Sequence, residues 1–254
     1  MLTMEKVLTQ MLEYLRESLP LLRAPEGDLR REYFILFYAR LLELIDAALR
    51  LTGQTRDWAP TNVLLRSALE CSVDLCNLAQ KPGYEYVIRA MMLENRSALF
   101  HFKTQPAYDE LVEIYGQERV QQMGAQAERE FKQTLRRASE YFPILNGSSR
   151  NLSVLNRFRI AGQEKRYQTE YTLLSMVTHN DMTVLALQNE LDLQGNVDVY
   201  ADERAWEQCM RFMVDAIKYK TQLFGLDKEL IQACLGCLEM VLQKQERKKK
   251  EHKE

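Results

Sequence analysis

The chain has 254 residues, of which 46% are hydrophobic and 28% charged, and its formal net charge is −2. This composition is typical of a globular protein with a sizeable core rather than of a disordered chain. The nearly neutral charge excludes bulk electrostatic attraction to nucleic acid or to an anionic membrane. Glycine (10) and proline (6) are scarce, as is typical of long helices joined by few turns.

The sequence predicts a cytoplasmic protein without a membrane span. The longest uncharged stretch, around residues 171–180, contains several polar residues, whereas a span needs about 20 predominantly apolar residues. The amino-terminal residues lack the basic region and apolar run of a signal peptide. Five cysteines at irregular spacing fit reduced, buried thiols. Cys234 and Cys237 have CxxC spacing, but they stand in an apolar segment and are predicted to be core residues.

Six helices are predicted in the first part of the chain, because apolar residues recur there at helical spacing and nowhere alternate as in a strand. The predicted helices cover about 3–19, 28–53, 60–80, 84–102, 106–115 and 117–141. Asp28 begins the second predicted helix, and Gly53 is a natural C-cap for the same helix. The helix over 117–141 is highly charged, which favours a solvated or protruding helix over a core one.

The second part of the chain begins with a break at 143–162, which is predicted to be a loop or lid carrying Arg150, Arg157 and Arg159. Three helices follow, at about 163–191, 202–224 and 227–249, with Asp202 as an N-cap of the second. A lysine-rich tail covers 244–254. The predicted fold is therefore all-α, a single-domain bundle of about eight to ten helices over residues 1–243.

The predicted helix over 163–191 is apolar around most of its circumference, so it belongs in the interior. One of its two polar stripes holds Ser175 and His179, which stand four residues apart and can hydrogen-bond. Histidine is the usual general acid or base near neutral pH. His179 is either a core histidine satisfied by Ser175 or Thr183, or a working residue at an internal cleft.

A second polar stripe lies on the predicted helix over 60–80 and holds Arg66, Glu70, Asp74 and Asn77. An Arg–Glu pair in this order is the weaker orientation for helix support. The stripe is therefore either a solvated face with an Arg66–Glu70 ion pair, or one half of a site completed by Ser175 and His179.

These two stripes carry a resemblance to a known family. The segment Leu65-Arg66-Ser67-Ala68-Leu69-Glu70, followed by the later Tyr171-x-x-x-Ser175-x-x-x-His179 pattern, resembles the bacterial helical family of unknown function numbered 5677. The similarity covers roughly residues 31–191. It implies an all-helical fold and a bacterial or phage-related origin, and it brings no established activity.

Two functions are compatible with these features. The chain has no glycine-rich phosphate loop, HExxH helix, metal-spaced His/Cys set or nucleophile elbow. This favours a non-enzymatic binding or regulatory module without metal or cofactor, in a defence or mobile-element context, whose partner is a protein or RNA.

The alternative is a metal-independent ribonuclease similar to the helical nucleases of prokaryotic toxin and defence systems, which often act as homodimers. His179 would then be the general acid or base, oriented by Ser175, and Arg66, oriented by Glu70, would stabilise the phosphorane. Tyr171 would contact the substrate. The three arginines Arg150, Arg157 and Arg159 would hold the RNA backbone. The chain departs from those nucleases because Arg166, the nearest upstream arginine on the same helix, is too far from His179.

Overall fold

The computed structural model describes residues 4–52, 59–101, 106–178 and 197–225. Several predictions fall outside these ranges: the C-cap at Gly53, His179, the helix over 227–249 with Cys234 and Cys237, and the tail at 244–254. Within the described ranges the chain is helical and contains no strand, so the all-α prediction is confirmed. No helix there is long and apolar enough to cross a bilayer.

The helices follow the chain in an order close to the predicted one. The bounds are α1 Met4–Ser18, α2 Leu29–Leu51, α3 Ala59–Gln80, α4 Tyr84–His101, α5 Pro106–Tyr115, α6 Gln117–Tyr141, α7 Val154–Ile160, α8 Glu164–Arg166, α9 Thr172–Thr178 and α10 Val197–Phe224. Between α8 and α9 the backbone forms a π-helical turn, Tyr167–Tyr171. The long helix predicted from residue 163 is therefore helical as far as residue 178, but it is not regular.

The centre of the molecule is the pair α2 and α3, onto which α10 packs. Asp28 caps α2 as predicted, because its side chain accepts a hydrogen bond from the Arg31 backbone N–H at 3.1 Å. Tyr38 and Ile45 on α2 and Leu69 on α3 are completely buried. Leu36 on α2 is 61% exposed, so α2 is central without being buried on every side.

The charged helix α6 does not protrude. It runs antiparallel along α4, and its apolar face buries Val120, Ala127, Leu135 and Ala138. Gly124 permits a close approach, since a Cβ there would lie 3.0 Å from the Phe100 Cβ. The charged residues that suggested a solvated helix occupy only its outer side, as in an ordinary amphipathic helix.

The prediction of a loop or lid over 143–162 is wrong for residues 154–160, which form α7. The turn signal itself is real, because Asn146 and Gly147 both adopt positive φ, 45° and 63°. However, Ser153 caps a new helix by accepting from the Asn156 N–H, and Phe158 is fully buried. Short 3₁₀ turns at Pro143–Leu145 and Ser149–Asn151 complete the connection.

The N-cap prediction at Asp202 is also wrong, because α10 begins at Val197 and Asp202 lies inside it. An acidic residue near a helix start is favoured by the helix dipole as well as by capping. The sequence alone does not separate the two roles.

Candidate functional site

The polar stripe of α3 faces inward, towards α7 and the π-helical turn. Arg157 of α7 binds two of its carboxylates at once: Nη1 lies 2.6 Å from Asp74 Oδ2, and Nη2 lies 2.6 Å from Glu70 Oε2. Asn77 donates its amide N–H to the Arg157 carbonyl oxygen at 3.0 Å. One residue thus ties α7 to α3 through both its side chain and its backbone.

Asp74 is the most enclosed member of this group, with a side chain that is 1% exposed. Its second oxygen accepts a 2.6 Å hydrogen bond from the Tyr84 hydroxyl, so both carboxylate oxygens have partners. Burial raises the pKa of Asp74, while Arg157 and Tyr84 act in the opposite direction. Burial and the neighbouring Asp74 raise the pKa of Tyr84 well above its usual value.

At the other end of the stripe, Arg66 links α3 to the π-helical turn. Its Nε and Nη2 both donate to the Tyr171 hydroxyl, at 3.2 and 2.7 Å, and its Nε lies 3.6 Å from Glu70 Oε1. Glu70 therefore lies between two arginines. The side chains of Arg66 and Glu70 are 23% and 25% exposed, so this end reaches solvent. The continuous chain of contacts, here called the Arg157 network, comprises Tyr84, Asp74, Arg157, Glu70, Arg66 and Tyr171.

The π-helical turn positions Tyr171. Its ring stacks on Tyr167 at 5.0 Å between centroids and lies 5.7 Å from Phe158, while Thr172 donates its hydroxyl to the Tyr167 carbonyl oxygen. π-Helical turns are rare and frequently occur at functional sites. This turn was not predicted, because nothing in the helical spacing of residues 163–178 marks it.

The structure brings part of the predicted site together. Arg66 contacts both Glu70 and Tyr171. The buried Ser175 Oγ lies beside the Tyr171 hydroxyl without a hydrogen bond of normal geometry. His179 lies outside the described residues.

The three arginines predicted to hold RNA are not alike. Arg157 is not on an exposed loop as expected: its side chain is 8% exposed, because α7 turns it towards the carboxylates of α3. Arg159 pairs with Glu164 at 3.0 Å, and Arg150 is exposed. They do not form one positive surface.

A second charged cluster fixes the other side of the π-helical turn. Arg166 binds Glu170 at 2.8 Å and Asp215 of α10 at 2.9 Å, and Ser72 of α3 donates to the same Asp215 oxygen at 2.9 Å. Despite burial, the acidic neighbours, Asp215 first, raise the pKa of Arg166. The spacing of Arg166 and Glu170 was the only signal for this cluster in the sequence.

A pocket of about 310 Å³ opens between α3, residues 169–174 and α10. Its walls include the apolar side chains of Leu65, Leu174 and Ala205. The remaining lining residues are polar, charged or at the mouth: Thr61, Asn62, Thr169, Glu170, Leu173, Arg204, Glu207, Gln208 and Arg211. We call this the α3–α10 pocket.

Two amide side chains of the pocket each have one buried atom without a hydrogen-bond partner. Asn62 is 7% exposed, and neither its Nδ2 nor the Oε1 of Gln208 has a partner among the described groups. Buried polar groups in folded proteins are nearly always hydrogen-bonded. In this pocket the two unsatisfied atoms, one on α3 and one on α10, are a donor and an acceptor that line the same cavity.

Within the described ranges, no cluster of three or more His, Cys, Asp or Glu has the arrangement of a metal site. The described cysteines Cys71, Cys76 and Cys209 are free and buried. Burial raises the pKa of Cys71 and that of Cys209 to about 12, so both thiols stay protonated at neutral pH.

A family model described as "Family of unknown function (DUF5677)" matches residues 31–196. The chain belongs to this family. The matched region contains the whole Arg157 network, whereas α1 and α10 lie outside it. The α3–α10 pocket is thus formed by the family region together with a helix that follows it. Neither a curated protein nor a solved structure matches the chain.

Replacing Arg157 tests whether its contacts with Asp74 and Glu70 hold α7 against α3. We expect Arg157→Ala to lower the free energy of unfolding by about 3–5 kcal/mol, because it leaves the buried Asp74 carboxylate without a cation. The matched control is Arg159→Ala on the same helix, which removes an exposed ion pair and should cost less than about 1 kcal/mol. Urea denaturation measures the free energy of unfolding of both variants. Equal losses of stability would show that Arg157 does not hold α7 against α3.

Proposed function

We propose that this DUF5677 member is a small-molecule-binding helical module whose site is the α3–α10 pocket. The observation that carries the proposal is the pair of unsatisfied amide atoms in that pocket, Asn62 Nδ2 and Gln208 Oε1. Leaving a buried polar group unpaired costs about 1–3 kcal/mol. A ligand that pairs with these groups recovers that free energy, so the site is prepared for a polar partner.

The size and lining of the pocket define the ligand class in outline. About 310 Å³ lies at the lower end of the roughly 300–1,000 Å³ of small-molecule sites. The unpaired atoms are one donor, Asn62 Nδ2, and one acceptor, Gln208 Oε1. Apolar contact comes from Leu65, Leu174 and Ala205. The best fit is a compact molecule with an apolar body and one edge that carries a donor and an acceptor.

The Arg157 network supports this role by fixing one wall of the pocket. Tyr171 is held by Arg66, and Thr169, Glu170 and Leu174, which surround it in sequence, line the pocket. On the other side, Arg166 ties the same turn to α10 through Asp215. Rigid walls reduce the entropy lost when a ligand binds.

The setting we propose is the bacterial cytoplasm, in a defence or mobile-element context, with a regulatory role. Reduced, buried cysteines are the usual state in that compartment. Ligand binding in the pocket between the family region and α10 would change the affinity of the protein for a protein or RNA partner.

Substitution of Asn62 tests the binding proposal through stability and binding together. We expect Asn62→Leu to raise the free energy of unfolding by about 1 kcal/mol, because it removes an unpaired buried amide nitrogen. The same change should abolish binding of small cyclic amides, lactams and nucleobases in ligand-observed NMR. A site residue that weakens the fold is typical of function rather than of structure.

The matched control is Asn77→Leu, on the same helix but outside the pocket. The Asn77 Oδ1 also lacks a partner, but its Nδ2 donates to the Arg157 carbonyl oxygen, so this change removes a hydrogen bond. This change should destabilise the protein by about 1–3 kcal/mol. If Asn62→Leu destabilises the protein as Asn77→Leu does, or if no fragment binds the wild type, the pocket is not a ligand site.

The ribonuclease alternative has one favourable observation: Arg66 is partly exposed and is held beside Glu70 and Tyr171, with Ser175 next to Tyr171. Glu70, however, is shared with Arg157, which weakens its role in orienting Arg66. In this alternative Arg150 and Arg159 contact the RNA backbone, and a homodimer is the acting species.

RNA integrity after expression tests the alternative. If the protein is a ribonuclease, expression of the wild type degrades cellular RNA. The rate of RNA cleavage should then fall by about 100-fold or more in His179→Ala and in Arg66→Ala. Arg129→Ala, which removes an exposed arginine of α6 that has no role in this alternative, serves as the control for a general loss of positive charge. Intact RNA with all four proteins would leave the binding module as the function.

A further inference from the structure

A second concave site lies between α4 and α6 and shares no residue with the α3–α10 pocket. It encloses about 180 Å³ and is lined by Tyr86, Arg89, Gln133, Thr134 and Arg137. All five side chains carry hydrogen-bond donors, and none is a carboxylate. This α4–α6 groove is therefore rich in positive charge and in donors on a chain that is otherwise nearly neutral.

Arg137 is held in position before any ligand arrives. Its guanidinium carbon lies 4.2 Å from the centroid of the Tyr86 ring, and that ring stacks on Tyr141 at 5.8 Å with an interplanar angle of 24°. Stacking on an aromatic face restricts the arginine without using its N–H donors. The donors of Arg137 stay available to a ligand, and less side-chain entropy is lost on binding.

The two arginines of the groove also lack acidic partners. Arg157, Arg166 and Arg211 elsewhere in the fold all bind carboxylates. Within the described residues neither Arg89 nor Arg137 forms a salt bridge, even though Glu85 stands four residues before Arg89 in the orientation that favours a pair. Because neither arginine of the groove is paired with a carboxylate, the N–H donors of both are available to an anion bound there.

We propose that the α4–α6 groove binds the phosphate group of a small phosphate-bearing molecule, such as a phosphate monoester or a diphosphate. Planar guanidinium groups match phosphate oxygens with paired N–H donors, and Thr134 and Gln133 add neutral donors beside them. A polynucleotide fits less well, because the outer face of α6 mixes Glu128, Glu130 and Glu140 with its basic residues. A nucleic-acid site needs a continuous basic surface.

Calorimetric titration with pyrophosphate at low ionic strength tests this site. We expect saturable binding by the wild type, which weakens as salt is added. Arg89→Gln and Arg137→Gln should each reduce the affinity about tenfold or more. The controls Arg96→Gln on α4 and Arg129→Gln on α6 remove exposed arginines outside the groove, change the net charge equally, and should bind as the wild type does.

Two variants of Tyr86 separate the stacking role from the hydroxyl. Tyr86→Phe keeps the ring under Arg137 and should retain binding, whereas Tyr86→Leu should weaken it severalfold. A urea midpoint for each variant shows that the fold is kept.

Absence of saturable pyrophosphate binding would overturn the proposal, and so would equal losses in the groove variants and the controls. An RNA oligonucleotide that bound far more tightly than pyrophosphate, with the same dependence on Arg89 and Arg137, would also overturn it in favour of a nucleic-acid surface.

Discussion

The contact of Arg157 with Asp74 and Glu70 is the interaction on which the arrangement of this fold depends. The Asp74 carboxylate is buried on one face of a central helix, which is costly without a cation. The forked guanidinium of Arg157 contacts it and the neighbouring, partly exposed Glu70, at 2.6 Å on each side. Since Arg157 belongs to a helix of seven residues, which is too short to be stable alone, the same contact also holds α7 in place. The network then continues through Glu70 and Arg66 to Tyr171.

Residues 164–178 are held on two sides by arginine side chains. Arg66 binds Tyr171 on the side of the Arg157 network, and Arg166 binds Asp215 on the side of α10. A π-helical turn lies between these two attachments, where it lets consecutive residues face different partners. The α3–α10 pocket is bounded by this turn, so the polar contacts that look purely structural also define the shape of the proposed binding site.

Much of the fold was predictable because helical periodicity and capping are local. Asp28 and the apolar runs of α2 and α3 identified their helices, and the spacing of Arg66, Glu70, Asp74 and Asn77 placed them on one face. The partner of that face was not predictable, because Arg157 stands 83 residues beyond Asp74 and the sequence around it carries turn signals. The unpaired state of Asn62 was equally hidden, since the absence of a partner is visible only once the neighbouring helices are in place.

The Arg157 network holds α7 and the pocket wall against α3. Hydrogen exchange of Arg157→Lys under native conditions tests it most directly, since lysine keeps the charge but cannot bind both carboxylates in the same way. We predict that amide protection falls together in α7 and in residues 171–176, while the α4–α6 pair keeps the protection of the wild type. Loss confined to α7, or protection unchanged in both segments, would contradict the account.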